Sequence, residues 1–347
     1  MEFIVRNFKS IKETKLDLAR INVFIGPPNS GKSNLLEAIY LYGIKKRYEL
    51  WSNSGIPYSI EYLERKIIRG LETNVRSIFR DFDPKNIIFI RATGYFPMDV
   101  SLREDDILIN NRKIEEEPDE LEDFPLTILY RYENFITTSD YNLENIDYLL
   151  PDFRNLNYII TKRYPKIYID LKSTFESQNN ENKFQCKYGI CIVIEKNKFK
   201  LLDTVSGKTY PLSDLKNVAQ SIQYYILFST AILSSEYFSQ EYKTETICLL
   251  EEPDAHVYPI LIEEFIDLLK EKIKYTNIVL TTHNNNTLLM LMDRIPKDKL
   301  RVFGVIRGEK GYTEIKELKI EKLRKMVIEY GANIIRNLEY YIEDLKI

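Results

Sequence analysis

Residues 26–33 read Gly26-Pro27-Pro28-Asn29-Ser30-Gly31-Lys32-Ser33, a run whose residue types and spacing suit the binding of a phosphate chain. The two glycines let successive backbone N–H groups turn toward an anion, which would rest on the positive end of a following helix. The Lys32 ammonium would reach the β- and γ-phosphates of a nucleoside triphosphate, and the Ser33 hydroxyl would ligate Mg2+. Asn34 completes the stretch expected to touch the nucleotide. Average composition produces this pattern by accident in roughly one chain in a hundred of this length, so it carries weight by itself.

Hydrolysis needs more than binding: a carboxylate near the metal and a base for the attacking water. The apolar run ending Leu249-Leu250-Glu251-Glu252 offers both in adjacent positions. Strand alternation would aim Glu251 at the metal and Glu252 at the γ-phosphate. The chain has only two histidines, His256 and His283, and each follows an apolar run of strand length. Ligands of open α/β sheets gather at the carboxyl ends of strands, so both histidines are expected on the rim that carries the phosphate loop. His283 would hydrogen-bond the γ-phosphate or the attacking water.

The elements that must position these residues are legible at both ends of the chain. Residues 2–25 alternate and then run apolar, giving two or three strands before the loop. A helix opens at Ser33 with Leu35, Leu36, Ala38 and Ile39 on one face, and Glu37 and Lys45 outside. Ile60 to Ile78 has helical spacing with a basic face (Arg65, Lys66, Arg69), and Ile87 to Ile90 reads as a strand. The acidic run Glu115 to Asp123 reads as a solvated loop. Tyr188 to Ile194 and Lys198 to Leu202 suggest a hairpin, with a turn near Ser206-Gly207. An α/β pattern then returns: helix 214–235, strand 247–250, helix 259–272, strand 278–282, helix 286–293, hairpin 301–318 and an amphipathic helix 320–345. The fold class expected is α/β, a P-loop NTPase with a mostly parallel, doubly wound sheet. It would carry an antiparallel β portion at its amino end and a central inserted lid or arm. The domain reading is 1–93 for the first lobe, 94–204 for the insertion and 205–347 for the second lobe.

Composition narrows the function classes. A formal net charge of −3 gives no global basic signature for nucleic acid. Cys186, Cys191 and Cys248 are too few and too scattered for a disulfide framework or a zinc site. The longest uncharged stretch, Asn217 to Ser235, holds Gln220, Ser221, Gln223, Ser229 and Thr230, and reads as a buried helix instead of a membrane span. No secretory signal opens the chain, so a cytoplasmic location is expected.

Taken together, Phe8-Lys9-Ser10-Ile11, the segment Asn22 to Ile39 and Glu251-Glu252-Pro253-Asp254-Ala255-His256 resemble the ABC-type ATPases of the RecF, SMC and OLD group. Within it, the chain is most similar to stand-alone or archaeal AAA-family ATPases. The resemblance covers about residues 1–45 and 205–300. It implies that Gly31, Lys32 and Ser33 hold phosphates and Mg2+, that Glu252 is the general base, and that His283 is the switch histidine. Asp254 falls where such proteins touch the opposite subunit. ATP would be sandwiched between two heads, making an ATP-dependent homodimer, with a Ser/Gly-rich signature reaching across.

That signature is where this chain departs. Ser213, in Leu212-Ser213-Asp214, and Ser221, in Val218-Ala219-Gln220-Ser221, are the two candidates, and neither segment keeps the glycine that permits close backbone approach. Slow or partner-dependent hydrolysis would result. Between the strand at 87–90 and the signature region the sequence shows no glutamine loop, and Tyr258 stands where close relatives often have a second histidine. About sixty residues follow His283, too few for the nuclease domain of OLD proteins, so no nuclease activity is expected. The adenine contact is open, with Asn7, Phe8 and Lys9 as candidates.

Two functions compete. One is an ATPase acting on DNA in repair, chromosome handling or defence, with a basic groove built from Lys45, Lys46, Arg47, Arg65, Lys66 and Arg69. The other is a nucleotide-gated module that hydrolyses little and recruits a separate effector protein. A transporter subunit lacks its usual signature here, and no membrane partner is expected. A small-molecule kinase fits poorly with Glu251-Glu252 and His283.

Overall fold

The computed structural model describes residues 1–43, 47, 78–83, 85–93, 98–102, 107–109, 112–113, 126–131, 147–150, 153, 155–178, 184–211, 219–308, 310–331 and 333–347. Two compact units divide the chain. The first comprises Met1–Leu129, Thr244–Glu252 and Thr276–Ile347; the second comprises Tyr130–Lys243 and Pro253–Tyr275.

In the first unit, Glu2–Phe8 (β1) and Ile11–Asp17 (β2) pair antiparallel, burying Phe3, Val5, Phe8, Ile11 and Leu16 on one face. Ile21–Ile25 (β3) is buried at every position, as expected of a parallel strand covered on both sides. The helix Lys32–Tyr42 (α1) follows at once. Ile88–Thr93 (β4), Met98–Leu102 (β5), Ile107–Ile109 (β6) and Arg112–Lys113 (β7) extend the first hairpin into a sheet of order β2-β1-β4-β5-β6-β7.

A second sheet carries the chemistry. Its strands are β3, Leu126–Tyr130 (β8), Thr246–Leu250 (β14), Asn277–Thr281 (β15), Leu300–Arg307 (β16) and Thr313–Glu317 (β17). The order is β17-β16-β3-β15-β14-β8. The pairs β16–β3, β3–β15 and β15–β14 are parallel, while β17 returns antiparallel on β16. The fold is therefore α/β with a mixed, mostly parallel central sheet. Successive β16 residues serve opposite faces: Phe303 and Val305 join the core shared with α1 and the antiparallel sheet. Gly304 lies between them, where a Cβ would come to 3.0 Å from the side-chain tips of Leu338 and Ile342 in the last helix, so that those tips would have to give slightly.

The second unit, by itself, contains Glu176–Gln178 (β9) paired with Phe184–Cys186 (β10), and a sheet of Ile190–Glu195 (β11), Lys198–Asp203 (β12) and Thr209–Pro211 (β13). Around these stand Pro165–Phe175 (α2), Gln220–Tyr242 (α3) and Pro259–Lys272 (α4). Almost every position of α3 is buried, and the Glu236 carboxylate accepts from the backbone N–H groups of Lys274 and Tyr275. Returning to the first unit, Asn285–Arg294 (α5), Ile320–Tyr330 (α6) and Leu338–Leu345 (α7) complete the chain.

Several expectations change. The helix expected over 320–345 is broken: Gly331, at φ 64, ends α6, and one turn at Asn333–Arg336 precedes α7. The helix expected at 214–235 is seen from Gln220 and continues to Tyr242. Glu37 is not on an outer face but fully buried, where the Lys9 ammonium donates to it. Arg47, expected on a basic groove, is fully buried: its guanidinium lies 3.5 Å from the Tyr40 ring centroid and donates to the Tyr40 and Thr127 carbonyls. Cys186 and Cys191 pair as a disulfide on either side of the turn that contains Tyr188. Lys45, Lys46, Arg65, Lys66, Arg69, the acidic run 115–123 and Ser213 lie outside the described residues.

Candidate nucleotide-binding site

The loop between β3 and α1 is shaped by what surrounds its glycines. A Cβ on Gly26 would lie 2.0 Å from the Val305 carbonyl oxygen, and one on Gly31 would lie 2.0 Å from Thr313 Oγ1. Gly31 also has a φ of 107, which a side chain disfavours. No side chain caps α1, so its first N–H groups point out of the helix at the loop. Pro28 and Asn29 are exposed, Pro27, Ser33 and Asn34 are half-buried, and Ser30 is fully buried.

Lys32 is 6% exposed and its ammonium donates to the carbonyls of Gly26 at 3.0 Å and Pro27 at 2.9 Å. Burial pulls its pKa down to about 8, and the charges of Glu252 and Glu251 oppose that fall. The amino-terminal loop and the carboxyl-terminal acids thus share one electrostatic site, although more than two hundred residues separate them in sequence.

Parallel pairing explains how. Leu249 and Val279 are register partners, as are Val23 and Leu280, so β14, β15 and β3 end side by side. Just past the ends of these strands, the Ser33 hydroxyl donates to Glu251 Oε1. Glu252 sits in a left-handed conformation at φ 47, and its N–H donates to Thr281 Oγ1 at 3.0 Å. Its carboxylate oxygen Oε1 lies 3.1 Å from His283 Nε2. The strand stops at Leu250, so a turn, not strand alternation, separates the two carboxylates.

Phe8 is fully buried in the core, the Asn7 amide donates to the Ile87 carbonyl, and Lys9 serves Glu37. On the second unit, Ser221 is the second residue of α3 and its hydroxyl donates to the His256 carbonyl at 2.6 Å. The His256 ring packs against Tyr224, Asp254 is buried, and Tyr258 is 68% exposed. Sequence reasoning missed Thr281, although a threonine ending an otherwise apolar strand was the available signal. It also missed Arg307 and Thr313, for which the chain offers no local motif, and gave no role to Ser10, although Ser10 stands in the Phe8-Lys9-Ser10-Ile11 segment.

A magnesium ion fits this donor set. A serine hydroxyl and one carboxylate are enough for a cation that completes its shell with phosphate and water. No cluster of three or more His, Cys, Asp or Glu side chains able to hold a metal occurs among the described residues. No helix among them is long and apolar enough to cross a membrane.

The fold is that of a P-loop ATPase head, similar to the heads of the RecF/SMC group. The chain belongs to the AAA ATPase domain family, whose model matches residues 1–209; a second AAA-domain model matches residues 220–289. The crystal structure of an Smc head bound to the C-winged helix domain of ScpA is similar in fold. Its TM-score is 0.56 at 14% identity, covering 93% of this chain and 98% of that one. A Helicobacter pylori ATP/GTP phosphatase is 51% identical over 37 residues, 10% of each chain. The DNA replication and repair protein RecF of Lactobacillus gasseri is 38% identical over 55 residues, 16% of this chain. Those matches span only 10% and 15% of the relatives' own lengths.

Proposed function

We propose that this chain binds Mg·ATP in the β3–α1 loop and hydrolyses it, with the nucleotide closing two copies into a homodimer. The observation that carries the reading is the meeting of Lys32, Ser33 and Glu251 with the Glu252–His283 pair at the ends of three parallel strands. In this reading Gly26 to Asn34 wrap the phosphates, Ser33 and Glu251 hold the magnesium, and the metal would offset phosphate charge. Glu252 accepts a proton from the attacking water at Oε1 or Oε2, and His283 Nε2 orients that carboxylate. A left-handed glutamate held through its own N–H by Thr281 is a strained placement of the sort found at reactive centres. DNA is the partner we propose for the dimer, in line with the local similarity to RecF.

The experiment is phosphate release from Mg·ATP by the wild-type chain, Lys32→Ala and Glu252→Gln, with size measured alongside. We expect turnover in the wild type alone and a monomer-to-dimer shift for Glu252→Gln on adding Mg·ATP. Turnover equal in all three proteins overturns the assignment. DNA binding that requires ATP and weakens steeply with salt supports the nucleic-acid reading, and none at low salt removes it.

One observation favours a second reading, a nucleotide-gated module with weak hydrolysis that recruits an effector. Of the two signature candidates, Ser221 has its hydroxyl already committed to the His256 carbonyl within its own unit. ATP-dependent dimers with turnover near background would select this reading.

A further inference from the structure

We infer that Thr313, on the carboxyl-terminal hairpin, is a positioning residue that sets the shape of the phosphate-binding loop; this rests on reading that loop as the nucleotide site. Thr313 is 3% exposed and stands against the crook of the loop. Its hydroxyl donates to the Ser30 carbonyl at 2.9 Å. A carbonyl only accepts, so the Thr313 proton is committed there and the 2.7 Å contact with Ser10 Oγ must be donated by Ser10. Ser10 in turn accepts from the Asn34 amide at 2.7 Å. The donors therefore run in one direction: Asn34 to Ser10, Ser10 to Thr313, Thr313 to Ser30.

This chain of hydrogen bonds ties both limbs of the loop to one side chain. Ser30 lies before Gly31 and Asn34 lies in the first turn of α1, so Thr313 fixes the carbonyl of one and, through Ser10, the side chain of the other. The Thr313 N–H also donates to the Ser10 carbonyl at 2.8 Å, which locks the hairpin to the β1–β2 turn. A second brace comes from the same hairpin: Arg307 Nε donates to the Asn29 carbonyl at 2.7 Å, where Asn29 has a φ of 60. The carbonyls of Asn29 and Ser30 are thus both turned outward to the hairpin. The Ser30 N–H donates to the Pro27 carbonyl at 3.4 Å, so the N–H that the Thr313 bond turns toward the loop interior, where an anion would be received, is that of Gly31. Buried hydroxyl chains of this kind are stronger intact than the sum of their parts.

The test is titration of Mg·ATP into the full chain carrying Thr313→Val, Thr313→Ser or Ser10→Ala, with kcat and KM measured on the same samples. Thr313→Val keeps the shape but strands the Ser30 carbonyl, and should weaken ATP binding by about 5- to 100-fold. KM should rise by a similar factor with kcat within about twofold, because the loop grips ground and transition states alike. Thr313→Ser should restore binding to within about threefold of wild type. Ser10→Ala, which leaves the Thr313 to Ser30 bond in place, should fall between; it serves also if Thr313→Val does not fold. A Thr313→Val protein that binds ATP as wild type, with only its unfolding midpoint lowered, overturns the inference. So does Thr313→Ser behaving like Thr313→Val, since the methyl and not the hydroxyl would then matter. Wild type that takes up no ATP would instead overturn the nucleotide site itself, and this inference with it.

Discussion

His283 Nε2 stands 3.1 Å from Glu252 Oε1, joining a residue just beyond β15 to the residue that turns away from β14. The contact gives Glu252 a fixed carboxylate direction despite side chains that are 35% and 45% exposed. Direction matters to a base more than strength, since a proton must be taken along one line of approach.

Replacing His283 by alanine should therefore lower kcat by about 10- to 100-fold while leaving ATP affinity within about threefold. Steady-state turnover and nucleotide titration on one preparation check this. A rise in KM at unchanged kcat would show that His283 holds substrate and does not orient the base.

The nucleotide-free pocket should carry a pH signature through Lys32. Its pKa in the fold is about 8, below the ordinary 10.5, because burial disfavours the charged form. Between those values the unfolded chain holds a proton that the folded chain has lost, so stability rises with pH across that window and is flat below it. An anion in the loop restores the charge, so Mg·ATP binding should take up protons increasingly as pH rises from about 7 to about 8.5. Calorimetry in two buffers of different ionisation enthalpy reads the uptake directly. Equal proton exchange at both pH values would contradict the placement of Lys32.

Arg47 is a structural residue, and its replacement should be felt in stability alone. Arg47→Leu removes the buried guanidinium donors to the Tyr40 and Thr127 carbonyls, although the Tyr40 carbonyl keeps the Thr127 hydroxyl at 2.8 Å and the Gly43 N–H at 3.2 Å. We expect a loss of about 2–4 kcal/mol, measured by denaturant unfolding. DNA affinity per folded molecule should not change. Lost affinity at unchanged stability would return Arg47 to the basic groove.

Much of this site was legible in the chain because its chemistry is local. The loop residues Gly26 to Ser33, the acids Glu251 and Glu252, and His283 each come after an apolar run, and parallel strands deliver the residues beyond their carboxyl ends to one rim. The features hidden from the sequence depend on tertiary pairing. Nothing near Arg47 says that Thr127 will meet it, and nothing near Glu37 announces Lys9 as its partner. Thr313 reads as an ordinary strand residue until β17 folds back beside Ser10. Alternation leads one to expect the Glu251 and Glu252 carboxylates to diverge, but a left-handed turn at Glu252 is what separates them. Local pattern cannot encode that turn, because any non-glycine residue resists it and only the surrounding fold imposes it.

The most direct measurement is the fate of ATP on Glu252→Gln. The variant keeps Lys32, Ser33 and Glu251 and removes only the proposed base, so labelled Mg·ATP should be retained by the protein and recovered uncleaved after quenching. Wild type should yield ADP and phosphate about 10² to 10⁴ times faster. Cleavage by Glu252→Gln at the wild-type rate, or no retention of label by either protein, would contradict the account.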